Sequence, residues 1–194
     1  TLEVPGFDKF FGKGISSCET CDGPLFKNKE VVVIGGGNAG LEAAEELTQY
    51  TKKVYVLEVK DEITGDELLL GNLKKKVNVV IITSVEIKEF RGKEFLEEIL
   101  YFDKKENKEK SIKTEGVFVK IGCLPNSESL RGFLNLNEKG EIIIDPLTYE
   151  TSQKGIFAAG DVTNIPYKQF VIAAGEGAKA ALSAYRYLQG RLKN

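Results

Sequence analysis

Val31-Val32-Val33-Ile34-Gly35-Gly36-Gly37-Asn38-Ala39-Gly40 is the stretch whose reading decides the fold. Consecutive β-branched residues read as a strand buried on both faces, and the glycines after them as a tight turn. The apolar positions Leu41, Ala44, Leu47 and Tyr50 then recur on a helical spacing. A second apolar run from Val54 to Leu57 closes a βαβ unit, with the two strands expected to be parallel and the crossover right-handed. Gly35-x-Gly37-x-x-Gly40 thus lies where backbone N–H groups and a helix dipole can hold a pyrophosphate. Such a glycine pattern arises by chance when alone. The strand before it, the helix after it and the acidic Glu58 closing the second strand make it a dinucleotide site. Gly35, Gly37, Asn38, Ala39, Gly40 and Glu58 are the candidate nucleotide-binding residues.

Glu58 also bears on which dinucleotide binds. A carboxylate there can accept hydrogen bonds from both ribose hydroxyls of NAD, and it repels a 2′-phosphate at about 4 Å by roughly 1 to 4 kcal/mol per unit charge. NADH is therefore favoured over NADPH, a preference that Lys60, close behind, softens.

Upstream of the first strand stands Cys18-Glu19-Thr20-Cys21, followed at once by Asp22 and Gly23. Two thiols at this spacing can form and break a disulfide with little movement, and a neighbouring carboxyl can shuttle the proton of the attacking thiol. A structural disulfide, half of a metal site and coincidence are the alternatives. The chain has 3 cysteines and no histidine, so a four-ligand zinc site cannot close within one copy of the chain. Redox chemistry is the better reading, with Cys18, Cys21 and Asp22 as the candidate catalytic residues. Cys123 follows an apolar strand with no partner nearby in sequence, and is read as a buried, unreactive thiol.

Working outward, residues 1–14 mix Gly, Pro, Phe and charges without a period and read as a linker. Residues 62–76 read as helix, and 78–82 and 85–90 as strands. From 91 to 114 two alternating segments flank the charged run 103–110, expected as the solvated tip of a hairpin. Residues 116–121 are another apolar strand ending in Gly122, which is counted with the cofactor-binding residues; the composition shifts there. Beyond it come expected strands at 141–145 and 156–159, then Gly160 and Asp161, and a long helix over 169–188 rich in Ala and Gly.

Charge narrows the classes of partner. Lys plus Arg number 27 against 29 Asp plus Glu, a net charge of −2, which offers no basic field for nucleic acid or an anionic membrane. No apolar run approaches the length of a membrane span, and the first residues lack the pattern of a signal peptide. The reading is a cytoplasmic chain with no nucleic-acid or membrane partner.

Taken together, Cys18 to Gly23, Phe26, and Val31 to Gly40 resemble the active-site signature of class II pyridine nucleotide disulfide oxidoreductases, the thioredoxin reductase family. Gly155-Ile-Phe-Ala-Ala-Gly160-Asp161 is similar to that family's second FAD-binding segment, and Pro166-Tyr-Lys-Gln-Phe170 with residues 175–180 to the helix that meets the flavin. Residues 21–27, 140–145 and 166–169 resemble the branch of alkyl hydroperoxide reductase flavoproteins more than ordinary thioredoxin reductases. The resemblance implies an α/β protein: a Rossmann-like doubly wound parallel-sheet domain over 15–122 with a small antiparallel crossover hairpin, then the C-terminal half of a second, FAD-binding Rossmann-like domain over 123–194.

It implies electron flow from NADH to FAD, to the Cys18–Cys21 disulfide, and on to a thioredoxin-like or peroxiredoxin-linked protein disulfide. Cys21 would face the flavin, Cys18 would attack the partner, and Asp22 would be the acid/base. Asp161 would hydrogen-bond the ribityl chain, and Lys168, Gln169 and Phe170 would lie at the flavin. A homodimer is implied as well. In the family, a further N-terminal half of the FAD domain precedes the linker at which this sequence starts. Its absence, with that of an initiator Met, gives the expectation that it was removed. A non-catalytic dinucleotide-binding or redox-sensing fragment without bound FAD is the competing expectation.

Overall fold

A computed structural model of the chain describes residues 2–122 and 124–191. They belong to two compact units, Thr1–Gly122 and Cys123–Asn194. With elements numbered along the chain, the first unit is built on a five-stranded parallel sheet. Its order is β1 (Ile15–Ser16), β8 (Gly116–Val119), β2 (Glu30–Ile34), β3 (Lys53–Leu57), β4 (Val79–Ile82). The decisive apolar run is β2, at the centre of the sheet, and its residues alternate between faces. Val31 and Val33 pack with Leu41, Ala44 and Leu47 of α3 (Asn38–Leu47) and with Leu73 of α4 (Glu67–Lys74). Val32 and Ile34 point the other way. There they meet Phe90, Leu96 and Ile99 from an antiparallel sheet of β5 (Val85–Gly92), β6 (Leu96–Asp103) and β7 (Lys108–Lys113). Burial on both faces is why β2 carries no polar alternation.

Several expectations are corrected here. Residues 1–14 are more than a linker: α1 (Phe7–Phe10) puts Phe7 and Phe10 into the core between the sheets. A single helical turn is too short to show a period, so the sequence hides it. The helix read over 62–76 is only α4, because Thr64 and Gly65 donate their N–H groups to the Gly36 carbonyl and keep that segment as a loop. Asp66 then caps α4 by accepting from the Leu69 N–H at 2.9 Å. The charged run 103–110 does form the exposed tip of a hairpin, but half of it belongs to the ends of β6 and β7. The turn occupies 104–107, and buried Asp103 secures it by accepting from the N–H groups of Lys105 and Glu106 and pairing with Lys110 at 2.8 Å. That lysine, first among several donors, holds the Asp103 carboxyl below its ordinary range.

In the second unit the strands expected at 141–145 and 156–159 do not form. The segments make isolated bridges, Ile142 with Thr163, Ile144 with Thr151 and Glu150 with Phe157. Asp145 interrupts any ladder by accepting from the N–H groups of Leu147 and Thr148, turning the chain at 145–149. A small core of Leu134, Ile142, Ile144, Tyr149 and Ala180 remains, with α5 (Phe170–Arg191) closing the unit. Cys123 lies outside the described residues. Among the described residues no helix is long and apolar enough to cross a membrane.

Candidate functional site

The turn between β2 and α3 opens onto a cleft of about 830 Å³. Gly35, Gly37, Asn38, Ala39, Glu58 and Gly122 all line it. Gly40 does not, and its role is packing: a Cβ there would lie 2.0 Å from the Gly35 carbonyl oxygen. Gly35 has φ +122° and a Cβ there would strike the Lys120 carbonyl oxygen at 2.3 Å, so both its backbone and its surroundings require glycine. Gly37 is different, with an ordinary φ of −82° and nothing within 4 Å of a Cβ. Nothing in the protein demands glycine there, whereas a phosphate lying against the N-terminus of α3 would occupy that space.

Glu58 is buried at the end of β3. One of its oxygens accepts from the Gly36 N–H and the other from the Lys60 N–H at 2.9 Å. The Glu58 carboxylate is therefore tied to the glycine turn itself. Asn38 spends its side-chain oxygen within the protein, accepting from the Asp66 N–H at 2.8 Å.

Cys18 and Cys21 form a disulfide with Cα atoms 5.3 Å apart, across the one-turn helix α2 (Glu19–Asp22). Cys18 is half-buried and Cys21 exposed. The Cys21 N–H donates to Cys18 Sγ at 3.2 Å. Asp22 accepts from the Ser16 hydroxyl at 2.6 Å, and that same hydroxyl accepts from the Cys18 N–H at 3.0 Å. The carboxyl beside the cysteines is thereby anchored to β1. Glu19 forms an ion pair with Lys120, which lies just beyond β8 and lines the same cleft.

Gly160, Asp161, Lys168, Gln169 and Phe170 fall in the second unit. Gly160 has φ +79° and its N–H donates to the buried carboxylate of Glu176 at 2.8 Å. Asp161 is exposed one residue later, and Phe170, 92% exposed, opens α5. The ammonium of Lys168 is engaged by the Thr163 carbonyl and by Glu141 at 3.1 Å. Burial pushes the Glu141 carboxyl up, but the donors Asn137 and Lys168 outweigh it and leave it below the ordinary range.

The family profile described as pyridine nucleotide-disulphide oxidoreductase matches residues 1–181. The chain belongs to that family. The F component of alkyl hydroperoxide reductase from Pseudomonas aeruginosa is 49% identical over 188 residues, covering 96% of this chain and 36% of the relative. A Bacillus subtilis protein named NADH dehydrogenase is 44% identical over 187 residues, again 96% and 36%. The thioredoxin reductase of Streptococcus pyogenes superposes with a TM-score of 0.90 at 31% identity, over 98% of this chain and 62% of that one. The chain thus spans about a third of the curated relatives and about three fifths of that structure.

Within this member of the pyridine nucleotide-disulphide oxidoreductases, the structure adds residues that sequence reasoning passed over. Leu2, Glu3 and Val4, read as linker, line the cleft, as do Val85, Glu86 and Ile87 of β5. Their approach depends on pairing across 80 residues or more, such as the Phe90 N–H donating to the Pro5 carbonyl at 2.9 Å. Ser16 and Lys120 were also missed. Lys120 left a trace, a charge directly after a buried apolar strand.

Proposed function

We propose that this chain is the nucleotide-binding and disulfide-bearing part, with a portion of the flavin domain, of a flavin-dependent oxidoreductase. In this reading it passes electrons from NADH through FAD and Cys18–Cys21 to a thioredoxin-like or peroxiredoxin-linked protein disulfide. One observation carries it: the Cys18–Cys21 disulfide, with Asp22 anchored beside it, shares a compact unit with the cleft formed by the glycine turn and Glu58. Residues 15–122 are the nucleotide domain and 123–194 the C-terminal part of the FAD domain, and a cytoplasmic homodimer is the working form.

FAD, when bound, supplies the relay that takes a hydride's electron pair from NADH and gives it to the disulfide. Gly160, Asp161, Lys168, Gln169 and Phe170 would hold it. The exposed Asp161 after a left-handed glycine, and the exposed N-terminal turn of α5, fit a bulky polar ligand. The rest falls to the chain's own groups. The turn's N–H groups and Glu58 bind the nucleotide, and the carboxylate disfavours a 2′-phosphate.

Cys18–Cys21 takes up two electrons and two protons and opens to a dithiol. Asp22 accepts the proton of the attacking Cys18 thiol. The thiolate bonds to one sulfur of the partner disulfide, and the other sulfur leaves and takes a proton. Cys21 then attacks Cys18 in that mixed disulfide, which restores Cys18–Cys21 and frees the partner as a dithiol.

The test is anaerobic addition of NADH or NADPH to the purified protein supplied with FAD, with alkylation and peptide mass measurement at Cys18 and Cys21. The expected result is that NADH opens the disulfide much more readily than NADPH. If NADH binds and neither nucleotide opens it, the chain is a dinucleotide-binding or redox-sensing module instead.

A further inference from the structure

Glu19 stands between the two cysteines, and its carboxylate meets the ammonium of Lys120 with both side chains largely shielded, at 14% and 18% exposure. Among the described residues, further acidic groups lie on or against α2. Asp22 accepts from Ser16, and Glu46 of α3 accepts from the Thr20 hydroxyl at 3.0 Å. The Tyr50 phenol is raised above its ordinary range by burial, then by Glu46 and Glu19. Lys120 is a cation that the structure sets against Glu19, and its backbone is fixed: its N–H donates to the Ile34 carbonyl at 2.8 Å, and its carbonyl abuts Gly35.

We propose that Glu19 and Lys120 form an opposed charge pair that sets the proton affinity of the Cys18–Cys21 dithiol, with Lys120 acting as a positioning residue through Glu19. The proposal rests on the redox reading above for its use, but not for its measurement. Reduction of the disulfide consumes two electrons and two protons, and the species that then attacks a partner is a thiolate formed by loss of one of those protons. Like charge nearby keeps that proton on and opposite charge releases it. A half-buried Glu19 without Lys120 would add to Asp22 and Glu46 and hold the thiol neutral. Lys120 without Glu19 would favour the thiolate.

The signature is opposite signs. If the ion pair merely held α2 in place, removing either partner would break the same contact and shift reactivity the same way. The full chain is reduced with dithiothreitol, freed of reductant under nitrogen, and alkylated with iodoacetamide across the pH range in which thiols titrate. Peptide mass measurement separates Cys18 and Cys21 from Cys123. Lys120→Met raises the pH midpoint at the more reactive cysteine by about one pH unit, roughly a tenfold slower alkylation below it. Glu19→Gln lowers the midpoint, the double variant returns close to the parent, and Lys120→Arg leaves it in place.

Unchanged midpoints, or shifts of the same sign in the two single variants, overturn the proposal. Should Lys120→Met fail to fold, Glu19→Gln decides alone: a lowered midpoint supports the proposal, and an unchanged or raised one overturns it. No flavin or nucleotide enters the assay, so failure of the reductase reading leaves its outcome intact.

Discussion

The two units differ in how completely they bury their apolar residues, although each has a core and each exposes some. In the first, Val31, Val32, Val33, Leu41, Leu47, Val54 and Val56 have no exposed surface, and the parallel sheet is covered by helices on one face and by β5–β7 on the other. In the second, Leu124, Leu147 and Phe170 are 93%, 88% and 92% exposed, and α5 turns Val171, Leu182, Tyr185 and Leu188 outward. The difference teaches that an apolar residue's sequence pattern does not measure its contribution to stability. Burial against partners in the same unit does. Exposed apolar surface marks faces that meet another protein, a ligand or a membrane when it forms a contiguous patch.

Substitutions can break or sharpen this contrast. The largest loss is expected at Gly35→Ala, which combines a left-handed backbone with a 2.3 Å approach to the Lys120 carbonyl. It should cost several kcal/mol, on the order of 4, read as a drop in the thermal midpoint with loss of NADH binding. Next, Leu41→Ala should cost about 2 to 5 kcal/mol, whereas Leu182→Ala should stay within about 0.5 kcal/mol. Equal costs in denaturant titrations would erase the distinction between the units. Gly37→Ala should leave the thermal midpoint unchanged yet weaken NADH binding roughly tenfold, about 1.4 kcal/mol, as measured by calorimetry.

The smallest effect concerns acid. The Glu141 carboxyl lies below its unperturbed value of 4.5, so its contribution is complete above that value and is lost as pH falls through the folded one. Lys168→Met should flatten the decline in stability of the second unit below about pH 4.5, followed by circular dichroism.

How much could be read beforehand follows from the range of the interactions. The sequence around β2, the glycine turn and α3 carries its own signals: β-branched burial, glycines and a helical period all lie within 20 residues, and Glu58 follows one strand later. Phe7 and Phe10 escaped because two aromatics in one turn show no period, although the antiparallel sheet buries them. The Glu19–Lys120 pair joins two ordinary charges from distant parts of the chain, and nothing local marks either as a partner. In the second unit, the apolar run Ile142-Ile143-Ile144 promised a strand, but a ladder needs a neighbour along its whole length, and the structure gives Ile142 and Ile144 only isolated bridges.

The loop after β3 is latched to the glycine turn from several directions: Glu58 holds the Gly36 N–H, the Gly36 carbonyl holds Thr64 and Gly65, and Asn38 holds Asp66. Turn and loop therefore behave as one rigid lip. On the proposed reading, a nucleotide arriving there would meet a surface already shaped, so capture should be a single-step encounter whose observed rate rises linearly with ligand concentration. The amides of Gly36, Thr64 and Gly65 should be slow to exchange with deuterium even before any ligand is present.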